Sequence, residues 1–178
     1  MIAGAVVVHR PDDDAVRDLA TEYRAYPVPV RDPDGELSQT LQTGIEAIVR
    51  RGPAHPPEAL MICLADQPLL RLDVIQALVE AWGGGRSAAV RPAYRDSPGE
   101  PGHPLLLDRS LWHLASDMRG ESGFAPVLQG RGITVRTVSV GGSNPDVDTP
   151  EDLHSLAEST EAPKDPHGLA EAAEAPTG

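Results

Sequence analysis

The chain has 178 residues, enough to bury one α/β core but rarely two, so a single folded domain is expected. Its formal net charge of −12 argues against nucleic acid as a partner, since backbone phosphates are held by clustered Lys and Arg. One cysteine, Cys63, excludes an intramolecular disulfide and fits a reducing, cytoplasmic compartment. No apolar run approaches the roughly 20 residues of a spanning helix, and the start lacks the features of a signal peptide, so no membrane partner is expected.

Residues 3–8 form a small apolar run suited to a buried strand. Pro11, Asp12, Asp13 and Asp14 then make a turn with acids at the start of a helix predicted over 14–23. Pro27 and Pro29 mark a short edge strand over 27–30, because proline removes ladder donors and is tolerated at margins. A loop over 31–36 leads to a helix over 38–51, where Leu41, Ile45, Ile48 and Val49 recur at helical spacing and Ser38 is the expected N-cap. A right-handed crossover would start this helix on the side of Asp66. The central strand is predicted over 59–65. The next helix carries Val74, Ile75, Leu78, Val79 and Trp82 as one apolar stripe and ends at Gly83, Gly84 and Gly85. Strands follow over 87–94, 103–107 and 133–140, with a Pro/Gly loop over 95–102 and short helices around 111–118 and 124–128. This βαβα alternation predicts an α/β fold with a mainly parallel sheet. Beyond Leu156 the composition shifts to Glu, Ala, Pro and Thr without apolar periodicity. The expected domain therefore spans 1–156, and 157–178 reads as a disordered acidic tail.

Residues 59–69, ALMICLADQPL, are an apolar run that stops at an acid, Asp66, before a helix-starting turn. A buried parallel strand that delivers a carboxylate at its C-terminal end is where open α/β sheets place ligand chemistry. Asp66 can serve there as a hard oxygen ligand for Mg²⁺, or simply as the cap of the following turn. Near the C-terminus, Asp146 and Asp148 lie two apart in an extended segment and share a face. Thr149, Pro150, Glu151 and Asp152 then start a helix with Pro at its first position, so Asp148 or Thr149 can be a cap, a ligand neighbour or both. Cys63 reads as structural, inside an apolar strand, and Trp82 and Trp112 read as core. His9, His55, His113 and His154 show no metal-ligand spacing.

LADQP (64–68), GHPLLLD (102–108) and DVDTPEDL (146–153) occur in series. Together they resemble the successive signatures of the molybdenum-cofactor cytidylyltransferase branch of the MobA-like family. Weaker likenesses extend the match: 32–44 resembles an NPxxxxGxSxSLxxGL segment, and Gly120, Glu121, Ser122 and Gly123 resemble a GDxGA turn. The resemblance implies a Rossmann-like GT-A nucleotidyltransferase that moves CMP from CTP to the phosphate of molybdopterin and releases pyrophosphate. On it, Asp66 and Asp148 match the metal-binding catalytic positions, with Asp146 as a neighbouring ligand and Mg²⁺ as cofactor. Gln67, where guanylyl-transferring relatives commonly have Met, tilts the donor toward CTP. Gly102, His103 and Pro104 match the pterin-side motif, although His103 also reads as an ordinary loop histidine. Ser38 is a candidate nucleotide contact, or a plain cap. Partners on this reading are a nucleoside triphosphate, a molybdopterin-type acceptor, and a molybdoenzyme or its chaperone.

Such enzymes open with a LAAGxGxRxGxxK segment that wraps the triphosphate in backbone N–H groups, and nothing like it occurs in the 178 residues. The expectation is an N-terminally truncated fold with little turnover as written. The alternatives are a catalytically inactive binding module or remnant of the same family, or a nucleotidyltransferase that uses another NTP or a sugar-phosphate acceptor. Arg91 and Arg95 are candidate substitute cations, though both read more simply as solvent-facing. The strand over 3–8 should either pair directly with 59–65 or leave that edge open.

Overall fold

The computed structural model describes residues 4–51, 57–99 and 102–160, with side chains through Ala157. In sequence order the elements are β1 (Val6–His9), α1 (Asp14–Glu22), β2 (Tyr26–Pro29), α2 (Leu37–Arg51), β3 (Ala59–Ile62) and α3 (Leu72–Trp82). They continue with β4 (Ala89–Tyr94), β5 (Leu105–Asp108), a 3-10 helix η1 (Arg109–Asp117), α4 (Phe124–Gly130), β6 (Val135–Val140) and α5 (Pro150–Thr160). None of the described helices is long and apolar enough to cross a membrane.

A four-stranded sheet has the order β3-β5-β4-β6. β5 is antiparallel to both its neighbours, while β4 and β6 are parallel. It follows that β3, β4 and β6 all point one way and open their carboxyl ends at one edge. Because β5 is reversed, the segment that precedes it, Gly102 to Pro104, arrives at that same edge. The fold is thus the α/β, mainly parallel arrangement that the periodicity predicted, with one reversed strand.

Each sheet face has its own core. Leu60, Ala89, Leu105 and Leu107 pack with η1, α4 and Ile45 of α2 on one side, and Val90, Tyr94, Leu106 and Val140 pack with Val74 and Leu78 of α3 on the other. Leu107 and Leu78, at 0% exposure, sit at the centres of these layers. Trp112 is buried in the first and Trp82 packs against the second, so both tryptophans are core as expected.

Three local expectations change. Ser38 is not the N-cap of α2, which starts one residue earlier at Leu37. The free N–H groups of that first turn are taken by the 120–121 turn: Leu37 N donates to Glu121 Oε2 at 3.3 Å and Ser38 N to the Gly120 carbonyl at 3.1 Å. Glu36 returns the contact by accepting from Gly120 N at 2.7 Å, so a distant loop does the work of a cap. Cys63 is exposed just past the end of β3, because the strand stops at Ile62; partial packing beneath it still raises its thiol pKa. Finally, α5 continues through Thr160, past the expected boundary at Leu156, while the rest of the predicted tail, 161–178, lies outside the described residues.

β1 and β2 form a separate parallel pair, in register from Val6 opposite Tyr26 to His9 opposite Pro29. α2 packs against this pair and also contributes Ile45 to the main core, so it bridges the two sheets. β1 does not pair with β3, and among the described residues neither strand has a partner on its remaining edge. The open-edge alternative therefore holds for the described part of the strand; Ala3 lies outside it.

Candidate functional site

The carboxyl edge of the four-stranded sheet gathers most of the residues singled out by sequence. After β3 the chain turns at Ala65 and Asp66, and the Asp66 carbonyl accepts a hydrogen bond from Val147 N at 2.8 Å. That one bond joins the loop after β3 to the extended segment after β6. Gln67 reinforces the junction. Its Nε2 donates to Asp146 Oδ1 at 2.7 Å, and its Oε1 accepts from Asn144 Nδ2 at 3.2 Å. Asn144 is buried, and its own Oδ1 has no protein partner among the described residues.

Asp66, Asp146 and Asp148 are all exposed at this junction. Val147 lies between the two later aspartates, so its bond to Asp66 places Asp66 beside both in the backbone. The structure does not gather three or more acidic, His or Cys side chains into a ready-made metal group among the described residues. Asp148 leads into the cap of α5, where Asp152 Oδ2 accepts from Asp148 N, Thr149 N and Thr149 Oγ1, while Asp152 N donates back to Thr149 Oγ1. This reciprocal box fixes the backbone at Asp148 and leaves its carboxylate outside the cap.

His103 reaches the site from the opposite direction. Gly102 passes so close to β4 that a Cβ there would lie 2.4 Å from the Pro92 carbonyl oxygen, which explains the glycine. The Tyr94 hydroxyl donates to the His103 carbonyl at 2.9 Å, and Pro104 is fully buried. Burial pushes the His103 pKa down, against a backbone hydrogen bond at Ile62; Arg91 lowers it further, and Asp146 and Asp66 pull it up. The imidazole thus senses both aspartate segments and is held toward its neutral form.

Not every predicted residue joins this group. Ser38 is buried at the start of α2, where its Oγ donates to Glu36 Oε2 at 3.3 Å. It lines a hollow of about 790 Å³ between α2 and η1, together with Gln42, Trp112 and Met118. Asp66, Gln67 and His103 are not among the lining residues. Conversely, Asn144, Tyr94 and Arg71 escaped the sequence reading. Arg71 pairs with Asp73 and donates to the Gly141 carbonyl at 2.9 Å, so it fastens α3 to the loop that leads to Asn144. Gly142 in that loop has a φ of +76°, a left-handed conformation that favours glycine.

Residues 2–137 match the MobA-like NTP transferase domain. The chain belongs to the MobA-like NTP transferase family. As a MobA-like transferase it is a nucleotidyltransferase with a nucleoside triphosphate as donor. It is 30% identical over 156 residues to the phosphoenolpyruvate guanylyltransferase of Sphaerobacter thermophilus, covering 86% of this chain and 69% of that protein. Its fold is like that of Rv0371c from Mycobacterium tuberculosis in complex with manganese, with a TM-score of 0.67, 22% identity, and coverage of 89% of this chain and 79% of that one. It is also like a CMP:2-keto-3-deoxy-manno-octonic acid synthetase complexed with CTP, with a TM-score of 0.69, 14% identity, and coverage of 89% and 81%. This MobA-like transferase therefore shares the Rossmann-like GT-A architecture of nucleotidyltransferases.

Proposed function

We propose that this MobA-like transferase moves CMP from CTP to the phosphate of a molybdopterin-type acceptor, with Mg²⁺ as cofactor and a cytoplasmic setting. The observation that carries the reading is the junction at the sheet edge, where Gln67 is clamped by Asp146 and Asn144 and where Asp146 and Asp66 are near enough to act on the His103 imidazole. The donor set suits a hard cation, since exposed carboxylates are the oxygen ligands that Mg²⁺ and Mn²⁺ prefer. Asp66 and Asp148 would hold the ion, with Asp146 beside them. When bound, it would neutralise triphosphate charge and orient the α-phosphate for in-line attack.

The protein groups have distinct roles. Gln67 fastens the Asp66 turn to the 144–148 segment, so that two carboxylates from separate loops would be able to hold one ion. Gln67 also stands at the position that tilts the donor toward CTP. His103, kept neutral by burial, offers a hydrogen bond to the acceptor, and Gly102 and Pro104 hold its loop against β4. Ser38 remains the candidate contact on the nucleotide side, with the hollow beside α2 as its surroundings. A GTP donor with phosphoenolpyruvate as acceptor is a second reading, favoured by the guanylyltransferase relative. A module that binds acceptor without turnover, and docks a molybdoenzyme or its chaperone, is the rival from another class.

Pyrophosphate release separates these readings. The protein is assayed with CTP or GTP, each with molybdopterin or phosphoenolpyruvate, alone and with a Gly-rich phosphate loop supplied ahead of β1. The expected result is release with CTP and molybdopterin, faster in the extended form because preorganised donors stabilise the charge that builds in the transition state. Release only with GTP and phosphoenolpyruvate would replace the first reading by the second. Acceptor binding without release in either form would favour the module.

A further inference from the structure

β4 carries two alternating sets of side chains. Val90 and Tyr94 belong to the core beneath α3, whereas Ala89 belongs to the opposite core with Leu105 and Leu107 of β5 and Leu60 of β3. Arg91, two residues after Ala89, rises on the Ala89 face of β4, and His103 lies just ahead of β5, in the segment whose Gly102 packs against Pro92, with Arg91 near enough to lower its pKa. Arg91 sits in the middle of β4, and the His103 segment reaches the carboxyl edge, where Asp66 stands. Arg91 is half-buried rather than solvent-facing, which corrects the sequence reading.

Two nitrogens here are buried and, among the described residues, without a hydrogen-bond partner: Arg91 Nε and His103 Nδ1. Arg91 also forms no ion pair among the described residues, although the chain carries an excess of acids. A guanidinium with a desolvated N–H and no counter-charge is unfavourable unless an anion completes it. A planar fork beside a neutral imidazole suits a tetrahedral oxyanion better than it suits an apolar ligand.

We infer that Arg91 and His103 form an anion subsite that takes the phosphate monoester of the acceptor, a second contact point distinct from the carboxylates that hold the donor's metal. Transfer requires one anionic phosphate to attack another, and a fixed cation behind the attacking group lowers that repulsion. Arg91 is thus a specificity-determining residue for acceptors that carry a phosphate monoester. The inference rests on the nucleotidyltransferase reading for its purpose, but the binding it predicts needs no nucleotide.

The test uses inorganic phosphate as probe and the His103 ring resonances as reporter, assigned with His103→Gln. In the unsubstituted protein phosphate should shift those resonances saturably, and MgCTP should leave that binding in place. Arg91→Gln should weaken phosphate binding by roughly tenfold or more, as loss of a charge-assisted fork predicts. Arg91→Lys keeps the charge without the fork and should give an intermediate loss; it also decides the matter if the glutamine variant does not fold. No saturable shift, equal affinity in both variants, or displacement of phosphate by MgCTP would each overturn the assignment, the last by giving the subsite to the donor. If phosphate binds through Arg91 but no nucleotide and acceptor release pyrophosphate, the subsite stands and the proposed reaction falls.

Discussion

Gln67 joins two loops that are 77 residues apart in sequence through one amide group, with Asn144 on its oxygen and Asp146 on its nitrogen. Gln67→Leu keeps the volume and removes both bonds, which should cost about 1–2 kcal/mol in denaturant unfolding. It should also raise the KM for MgNTP, since the 144–148 segment would be held to the Asp66 turn by the Val147 backbone bond alone; unchanged values for both would remove Gln67 from the site. His103 offers a titration test. Its pKa is lowered by burial first and by Arg91 as well, so an NMR titration should place it below the usual histidine range. Because the folded pKa is depressed, the stability it contributes is present above the unfolded pKa and is lost as pH falls toward the folded value. Asp66, Gln67, Asp146 and His103 were legible because short motifs carry them in a fixed series. Arg91 was named only as a candidate substitute cation, and the contacts of Asn144 and Tyr94 were not legible, since they depend on which strands become neighbours, and no local pattern records that β5 is reversed.

Helix starts show where local chemistry is readable and where it is not. The α5 start was legible: Thr149, Pro150 and Asp152 spell out a cap, and the reciprocal bonds form as written. The hydrogen bonds from Thr149 hold the Asp152 carboxyl below the usual carboxylate range. That support is therefore present above the unfolded carboxylate pKa and is lost as pH falls through the lower folded value. Amide exchange in the first turn of α5 should speed up in that acidic window, and Asp152→Asn should speed it up at neutral pH. The α2 start was misread because its partners, Gly120 and Glu121, lie far along the chain. Glu36→Ala strips a hydrogen bond from Gly120 N and should cost about 1 kcal/mol, a Tm drop of roughly 2–4 °C for a chain of this size. A Tm equal to that of the unsubstituted protein would show that water replaces the contact freely. Strand positions were readable from apolar runs, but their ends were not, because Cys63 and Leu64 look like strand and instead lead into the Asp66 turn.

The described residues form two sheets bridged by α2, with β1 and β3 each paired on one edge among them. Unpaired apolar edges template association, so the sedimentation coefficient should rise with concentration, whereas a constant monomer value would show that both edges are covered. The α/β class and mainly parallel sheet were legible from the βαβα alternation. The split between the sheets was foreseen only as one of two outcomes, since a strand's sequence does not say which neighbour it will lack. What unites the scales is the proposed divalent-cation site at the carboxyl edge, to which Asp66 from one loop and Asp148 from another would contribute. Electron paramagnetic resonance of Mn²⁺ titrated into the protein with CTP measures that site without requiring turnover. One protein-dependent Mn²⁺–nucleotide site per chain is expected, weakened at least tenfold by Asp66→Asn and by Asp148→Asn, as loss of a charged ligand from a small oxygen set implies. Undiminished Mn²⁺ binding in both variants would contradict it.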